Sequence, residues 1–325
     1  MSAGVRADRM RKAWRAVVAG DVDTTCHIGA VELPNPVMTA SGTAGHGDEL
    51  EPYFPLSSLG AVVVKSISPA PWPGNPAPRV HETPSGMLNS VGLQGPGVEA
   101  WVRDDLPRLV ATGARVVVSI WGQRVADYAE AATRLANVDG LTAIEVNVSC
   151  PNVEDRRRVF AHSANATAEV LGAVREANRL PLWAKLSPNV ADLAEIAGAA
   201  IGAGADAVTL INTVLGMTID IEERRPLLGA GGGGLSGAAI HPVAVRAVYD
   251  VRCALPDAPI IGVGGVMTGA DGIELLMAGA NGIQVGTATF RDPRAPLRIL
   301  EEMEAWCARR GVRAMSDLIG AAHGR

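Results

Sequence analysis

Short apolar runs recur along the whole chain, each only a few residues long and most followed by an amphipathic stretch. They fall at residues 36–39, 61–65, 115–120, 142–147, 182–186, 207–212, 259–263 and 282–285. Their hydrophobicity is nearly continuous rather than alternating, which predicts strands buried on both faces, as in a parallel sheet. The intervening stretches 125–136, 167–177, 190–203, 238–251 and 270–278 are Ala-rich and carry a helical period. Repeated strand–helix alternation over this length predicts an α/β fold, a (β/α)8 TIM barrel. A doubly wound open sheet is the alternative, but no Gly-x-Gly-x-x-Gly turn follows the first strand. Two connections are long, 66–114 and 213–258. The first is expected to make an excursion with a hairpin over the C-terminal mouth of the barrel.

Composition narrows the class. With 325 residues, 48% of them hydrophobic, the chain is expected to form a single barrel domain over 1–325. The net charge of -5 argues against nucleic acid as a partner. Cys26, Cys253 and Cys307 stand far apart with no Cys-x-x-Cys spacing, which fits a reducing, cytoplasmic compartment and excludes a locally encoded iron–sulphur or zinc site; no metal is expected. No apolar run reaches the roughly 18 residues of a spanning helix. Residues 1–25 form an Arg-rich extension with Met10, Trp14 and Val17 on one helical face and no apolar signal core. A short helix packed on the body is favoured there over a helix lying on a membrane surface.

In a barrel, chemistry collects at the C-terminal ends of the strands. Those ends read Ala40-Ser41-Gly42, Lys65-Ser66, Ser119, Asn147 with Cys150, Lys185, Asn212-Thr213, Gly264-Gly265 and Gly286-Thr287. Polar residues after strands also serve as helix caps, but all eight ends are small, donor-rich or charged. Among the 29 basic residues only Lys12, Lys65 and Lys185 are lysines, and two of these stand at strand ends. A lysine supplies a compact charge that a planar guanidinium does not replace. The segment Asn147-Val148-Ser149-Cys150-Pro151-Asn152 puts a thiol between two asparagines and beside a proline that keeps Cys150 extended. It reads either as a proton acceptor flanked by groups that recognise a polar planar ligand, or as a packed thiol followed by a turn.

The glycines after strands 7 and 8 let backbone N–H groups approach an anion, which predicts a phosphorylated ligand; tight turns are the alternative. Lys185 suits a flavin, whose reduction leaves negative charge near the pyrimidine edge. One phosphate grip without a second matches FMN rather than FAD. Between strands 2 and 3, Asn75-Pro76-Ala77-Pro78-Arg79 precedes a run containing Asn89, Ser90, Val91, Gly92 and Leu93, whose amide and backbone donors suit a substrate rich in carbonyls or carboxylate.

Together these motifs, with Leu-Ile-Asn-Thr-Val-Leu-Gly-Met-Thr-Ile-Asp at 210–220 and Gly-Gly-Leu-Ser-Gly at 233–237, resemble the dihydroorotate dehydrogenase family over about residues 31–320. The likeness is to class 1, and within it to the NAD-linked class 1B catalytic subunits. The resemblance implies FMN-dependent oxidation of (S)-dihydroorotate to orotate in de novo pyrimidine (UMP) biosynthesis. It implies FMN contacts from Ser41, Lys65, Ser66, Ser119, Asn147, Lys185, Ile211, Gly237, Gly264, Gly265, Gly286 and Thr287. Substrate contacts are implied for Lys65, Asn89, Ser90, Val91, Gly92, Leu93, Asn147, Asn152, Asn212 and Thr213. Cys150, with Lys65 beside it, is the implied catalytic base.

The resemblance also implies a homodimer and a separate electron-transfer subunit carrying FAD and a [2Fe–2S] cluster. NAD, fumarate and quinone remain open as electron acceptors. The chain departs from the family pattern at Gly95, Ser119 and the charged run Arg156-Arg157-Arg158. That run keeps open an FMN-dependent oxidoreductase of another pyrimidine or cyclic imide; a non-catalytic flavin-binding barrel is the other alternative, against which Cys150, Lys65 and Lys185 argue.

Overall fold

The structure is a computed structural model that describes residues 22–149 and 160–324. Eight strands form one parallel sheet: β1 (Val37–Thr39), β2 (Val62–Val63), β3 (Val116–Ile120), β4 (Leu141–Asn147), β5 (Leu182–Lys185), β6 (Ala207–Leu210), β7 (Ile260–Val263) and β8 (Gly282–Val285). Their spatial order is β1-β8-β7-β6-β5-β4-β3-β2, with every neighbouring pair parallel. A parallel bridge between Met38 and Ala61, with the Gly60 N–H donating to the Val37 carbonyl at 2.8 Å, joins β1 to β2 and closes the barrel. The fold is therefore the (β/α)8 barrel that the pattern predicts.

Several elements differ at their ends from the periodic pattern, each for a local reason. The second run shortens to two residues because the Lys65 N–H leaves the ladder and donates to the Gly45 carbonyl. Helices α1 (Val98–Asp104) and α2 (Leu106–Ala111) follow β2, and α3 (Val125–Leu135) follows β3. Next come α4 (Ala164–Ala177), which starts where the Ser163 hydroxyl accepts from the Ala166 N–H, and α5 (Leu193–Gly202), which starts where Asp192 accepts from Glu195. Residues 238–240 form a 3-10 turn that leads into α6 (His241–Ala254). Helix α7 (Gly269–Ala278) begins at a Thr268–Asp271 capping box. The short α8 (Ala288–Arg291) and the long α9 (Ala295–Arg310) complete the barrel, and Gly311 ends α9 in the left-handed conformation.

The floor of the barrel is a β-hairpin, Cys26–Ile28 paired with Val31–Leu33. Its alternation of buried and exposed residues points Cys26, Ile28, Val31 and Leu33 into one apolar cluster with Met38, Val63, Val117, Ala143, Trp183 and Ile261. These are inward-facing residues of the strands, and Trp183 fills their centre with no exposed surface. At the other end, both long connections combine in a four-stranded antiparallel sheet. The expected hairpin, Val80–Thr83 with Gly86–Asn89, pairs through its second strand with Gly233–Ser236, which in turn pairs with Val214–Gly216. The segment that makes the excursion is thus tied to the one after β6. The expected N-terminal helix lies outside the described residues.

Because Trp183 plugs the barrel floor, Trp183→Ala should lower stability by about 3–5 kcal/mol, read as a lower denaturation midpoint. An unchanged midpoint would remove Trp183 from that role.

Candidate active site

The strand ends and the four-stranded sheet enclose a cavity of about 390 Å3. Ser41, Lys65, Ser66, Asn147 and Lys185 enter it from β1, β2, β4 and β5, with Ile211, Asn212 and Thr213 after β6. Gly264, Gly265, Gly286 and Thr287 line it after β7 and β8, and the loops add Asn89, Ser90, Val91, Gly92, Leu93 and Gly237. Ser119 does not line the cavity. It is fully buried on β3 and its hydroxyl lies 2.8 Å from that of Ser66, so it stands behind Ser66. Cys150, Asn152 and the Arg156-Arg157-Arg158 run lie outside the described residues.

A chain of polar side chains crosses the barrel mouth. The Asn147 amide donates to the Ser66 hydroxyl at 3.2 Å, and the Asn212 amide donates to Asn147 Oδ1 at 3.2 Å. The same Asn147 oxygen accepts from the Ser149 N–H, while the buried Tyr128 hydroxyl of α3 donates to the Asn147 carbonyl at 2.8 Å. Asn147 is therefore held on both its backbone and its side chain. Fixed amides in a low-dielectric site present donors and acceptors without reorganising, which favours recognition of a flat polar ring.

The two strand-end lysines differ in their surroundings. Lys185 is buried and its Nζ donates to Ser41 Oγ at 3.2 Å and to Gln284 Oε1 at 3.3 Å, with the Glu145 carboxylate 3.6 Å away. No ion pair engages the Lys65 ammonium among the described residues. Burial, reinforced by the Arg79 guanidinium, pushes Lys65 below the usual lysine range. Arg79 itself buttresses the loop that faces Lys65, donating to the Asn75 and Pro73 carbonyls and to Gln94. Asn75 adds a bond to Ser90 Oγ at 2.9 Å. Gly92 has φ +72°, and a Cβ there would meet Asn75 at 2.5 Å, so the turn of this segment requires glycine.

At the glycine-rich end, packing and ligand access make separate demands. A Cβ on Gly264 would lie 2.8 Å from Ala244 Cβ, and one on Gly265 would lie 2.6 Å from His241 Cβ. Close approach of α6 thus requires both glycines. His241 braces the same loop by donating from Nδ1 to the Gly264 carbonyl at 2.9 Å. Gly286 is different, since a Cβ would make only an ordinary 3.4 Å contact with Ala40. Packing leaves room for a side chain at Gly286, so its glycine is better explained by approach to a ligand.

Other lining residues escape the strand-end reading. Asn189 lines the cavity, donates to Ser187 and to the Thr213 carbonyl, and accepts from the Leu215 N–H. It follows β5 in Leu-Ser-Pro-Asn, a polar-after-strand signal like that of Asn147. His162, on the 3-10 turn before α4, also reaches the cavity with no comparable signal.

A sequence-family model described as dihydroorotate dehydrogenase matches residues 24–306. The chain belongs to the dihydroorotate dehydrogenase family. It is 52% identical over 302 residues to the catalytic subunit of dihydroorotate dehydrogenase B (NAD(+)) from Desulforudis audaxviator, covering 93% of this chain and 98% of the relative. Catalytic subunits of the same name from Alkaliphilus oremlandii and Geotalea uraniireducens are 49% and 46% identical. They cover 90% and 93% of this chain and 97% and 99% of their own lengths. In this dihydroorotate dehydrogenase family member, no helix among the described residues is long and apolar enough to cross a membrane.

Two other thiols are unsuited to chemistry. Burial pushes Cys26 up to about 12 and Cys307 up to about 11, the latter helped by the charge of Glu304. Both stay protonated at neutral pH, so alkylation of the folded protein should leave them unmodified. Mass-spectrometric labelling of either without denaturant would contradict this.

Proposed function

We propose that this chain oxidises (S)-dihydroorotate to orotate in de novo pyrimidine biosynthesis, using FMN and Cys150 as base. The observation that carries the reading is convergence on one cavity. Lys65, Asn147, Asn212 and residues 89–93 share it with Lys185 and the glycine ends of β7 and β8, in a chain of this family. The residues fit FMN. The cavity volume falls in the range of roughly 300–1,000 Å3 for small-molecule sites. Glycine backbone at the ends of β7 and β8 suits one phosphate, and Lys185 offers the cation that a reduced flavin needs.

When bound, FMN supplies the two-electron acceptor for the hydride leaving C6 of the substrate. Lys65 attracts the substrate carboxylate, and the held amides of Asn147 and Asn212 orient the pyrimidine edge. Thr213 and residues 89–93 close around it, and Cys150, as thiolate, removes the C5 proton. Asn152 completes the amide set. Ser119 acts through Ser66, by fixing its hydroxyl, rather than by touching the cofactor.

The naming of its relatives as NAD(+) catalytic subunits supports a separate partner subunit that passes electrons to NAD; the FAD and [2Fe–2S] cluster of that partner are what the family resemblance implies. Exposed Leu215, Met217, Ile219 and Ile221 on the connection after β6 support a homodimer. The dispersed cysteines fit a cytoplasmic enzyme.

Purified protein should carry a flavin absorbance that dihydroorotate bleaches anaerobically; a colourless or unbleached protein defeats the reading. Cys150→Ala should retain FMN and lose about 10²-fold or more in turnover, and unimpaired turnover would remove Cys150 from its role. Because Lys65 lies below the usual lysine range, its charge, and with it orotate affinity, should fall on the alkaline side at lower pH than an ordinary lysine would dictate. Lys65→Gln should abolish that pH dependence, which titration of the flavin spectrum with orotate measures.

A further inference from the structure

The Glu145 carboxylate has no exposed surface and lies inside the barrel on β4, two residues below Asn147. Neither Glu145 nor Gln284 lines the cavity, whereas Lys185 does. The Gln284 amide donates to Glu145 Oε2 at 2.6 Å, and the Thr209 hydroxyl donates to the same oxygen at 3.3 Å. Glu145 Oε1 receives no hydrogen bond but lies 3.6 Å from Lys185 Nζ. An amide that gives its NH2 to Glu145 must turn its carbonyl the other way, and that carbonyl accepts from Lys185 at 3.3 Å.

The ammonium is thus surrounded by three oxygens, from Ser41, Gln284 and Glu145. A buried anion is costly unless it is paired and hydrogen-bonded, and removing one partner leaves the other charge uncompensated. The carboxylate therefore does two things. It orients Gln284, and it offsets part of the Lys185 charge that faces the cavity.

We propose that Glu145 is a positioning residue that acts through Gln284 and Lys185 to set how strongly the site favours reduced over oxidised flavin. This rests on the flavin reading above. Neutralising Glu145 exposes bound flavin to the full charge of Lys185 and favours the reduced form, which carries negative charge.

The test is the midpoint potential of FMN bound to the full-length protein, measured by anaerobic dye equilibration, with FMN affinity measured in parallel. Glu145→Gln, which keeps the size and a carbonyl acceptor, should strengthen binding of reduced relative to oxidised FMN about tenfold. For a two-electron couple that ratio raises the potential by about 30 mV. Lys185→Gln should lower the potential, and Glu145→Gln added to it should have much less effect than in the parent, a coupling that a merely structural carboxylate does not produce.

An unchanged potential in flavin-loaded Glu145→Gln overturns the proposal, as does the same shift with and without Lys185. If Glu145→Gln does not fold, Gln284→Asn withdraws the amide from the ammonium and should raise the potential; no change there overturns it equally. Parent protein that binds no flavin defeats the functional reading itself. Parent protein that is bleached by dihydroorotate while the variants leave the potential unmoved defeats only the role of Glu145.

Discussion

Eight strands that converge on one axis leave every second residue of each strand with nowhere to go but the barrel interior. That constraint organises this molecule. In the lower half the inward positions are apolar, and the Cys26–Leu33 hairpin seals them with Trp183 at the centre. One layer higher they become Glu145, Lys185, Thr209 and Gln284, joined to one another by hydrogen bonds and an ion pair. The apolar floor excludes water, and its low dielectric makes the polar layer above it selective about which partners it accepts.

The polar layer supports the cavity. Strand β4 runs through both halves, with Ala143, Glu145 and Asn147 successively inward, so one strand carries core, charge compensation and ligand recognition. The long connections then complete the enclosure from above. Neither builds the roof alone, since the strand Gly86–Asn89 needs Gly233–Ser236 beside it. The loop that presents Asn89 to Leu93 is consequently anchored to the connection that carries Asn212 and Thr213.

Much of this was legible in the chain. Eight apolar runs alternating with helical stretches marked the barrel strands, and most of their polar ends marked residues that meet in the cavity. The long motifs around 147–152 and 210–220 identified the family, which the match over 24–306 establishes. Less was legible where a residue's role depends on a neighbour distant in sequence. Glu145 sits inside the apolar run 142–147 with nothing local to mark a role; only the arrival of Lys185, Thr209 and Gln284 from three other strands gives it partners. Ser119 reads as a strand-end residue but is screened from the cavity by Ser66. The Gly264 and Gly265 pair reads as an anion grip, yet α6 would exclude any side chain there in any case.

The sequence by itself determined the continuously apolar strands, the helices between them and the chemical types available at each strand end. These follow from local hydrophobic pattern and backbone preference. The tertiary structure alone decided which inward residues share a layer, which long loop pairs with which, and which lysine is compensated. Those outcomes depend on barrel closure and register, which bring together side chains as far apart in the chain as Ser41 and Lys185, 144 positions. No local pattern encodes a distance of that kind.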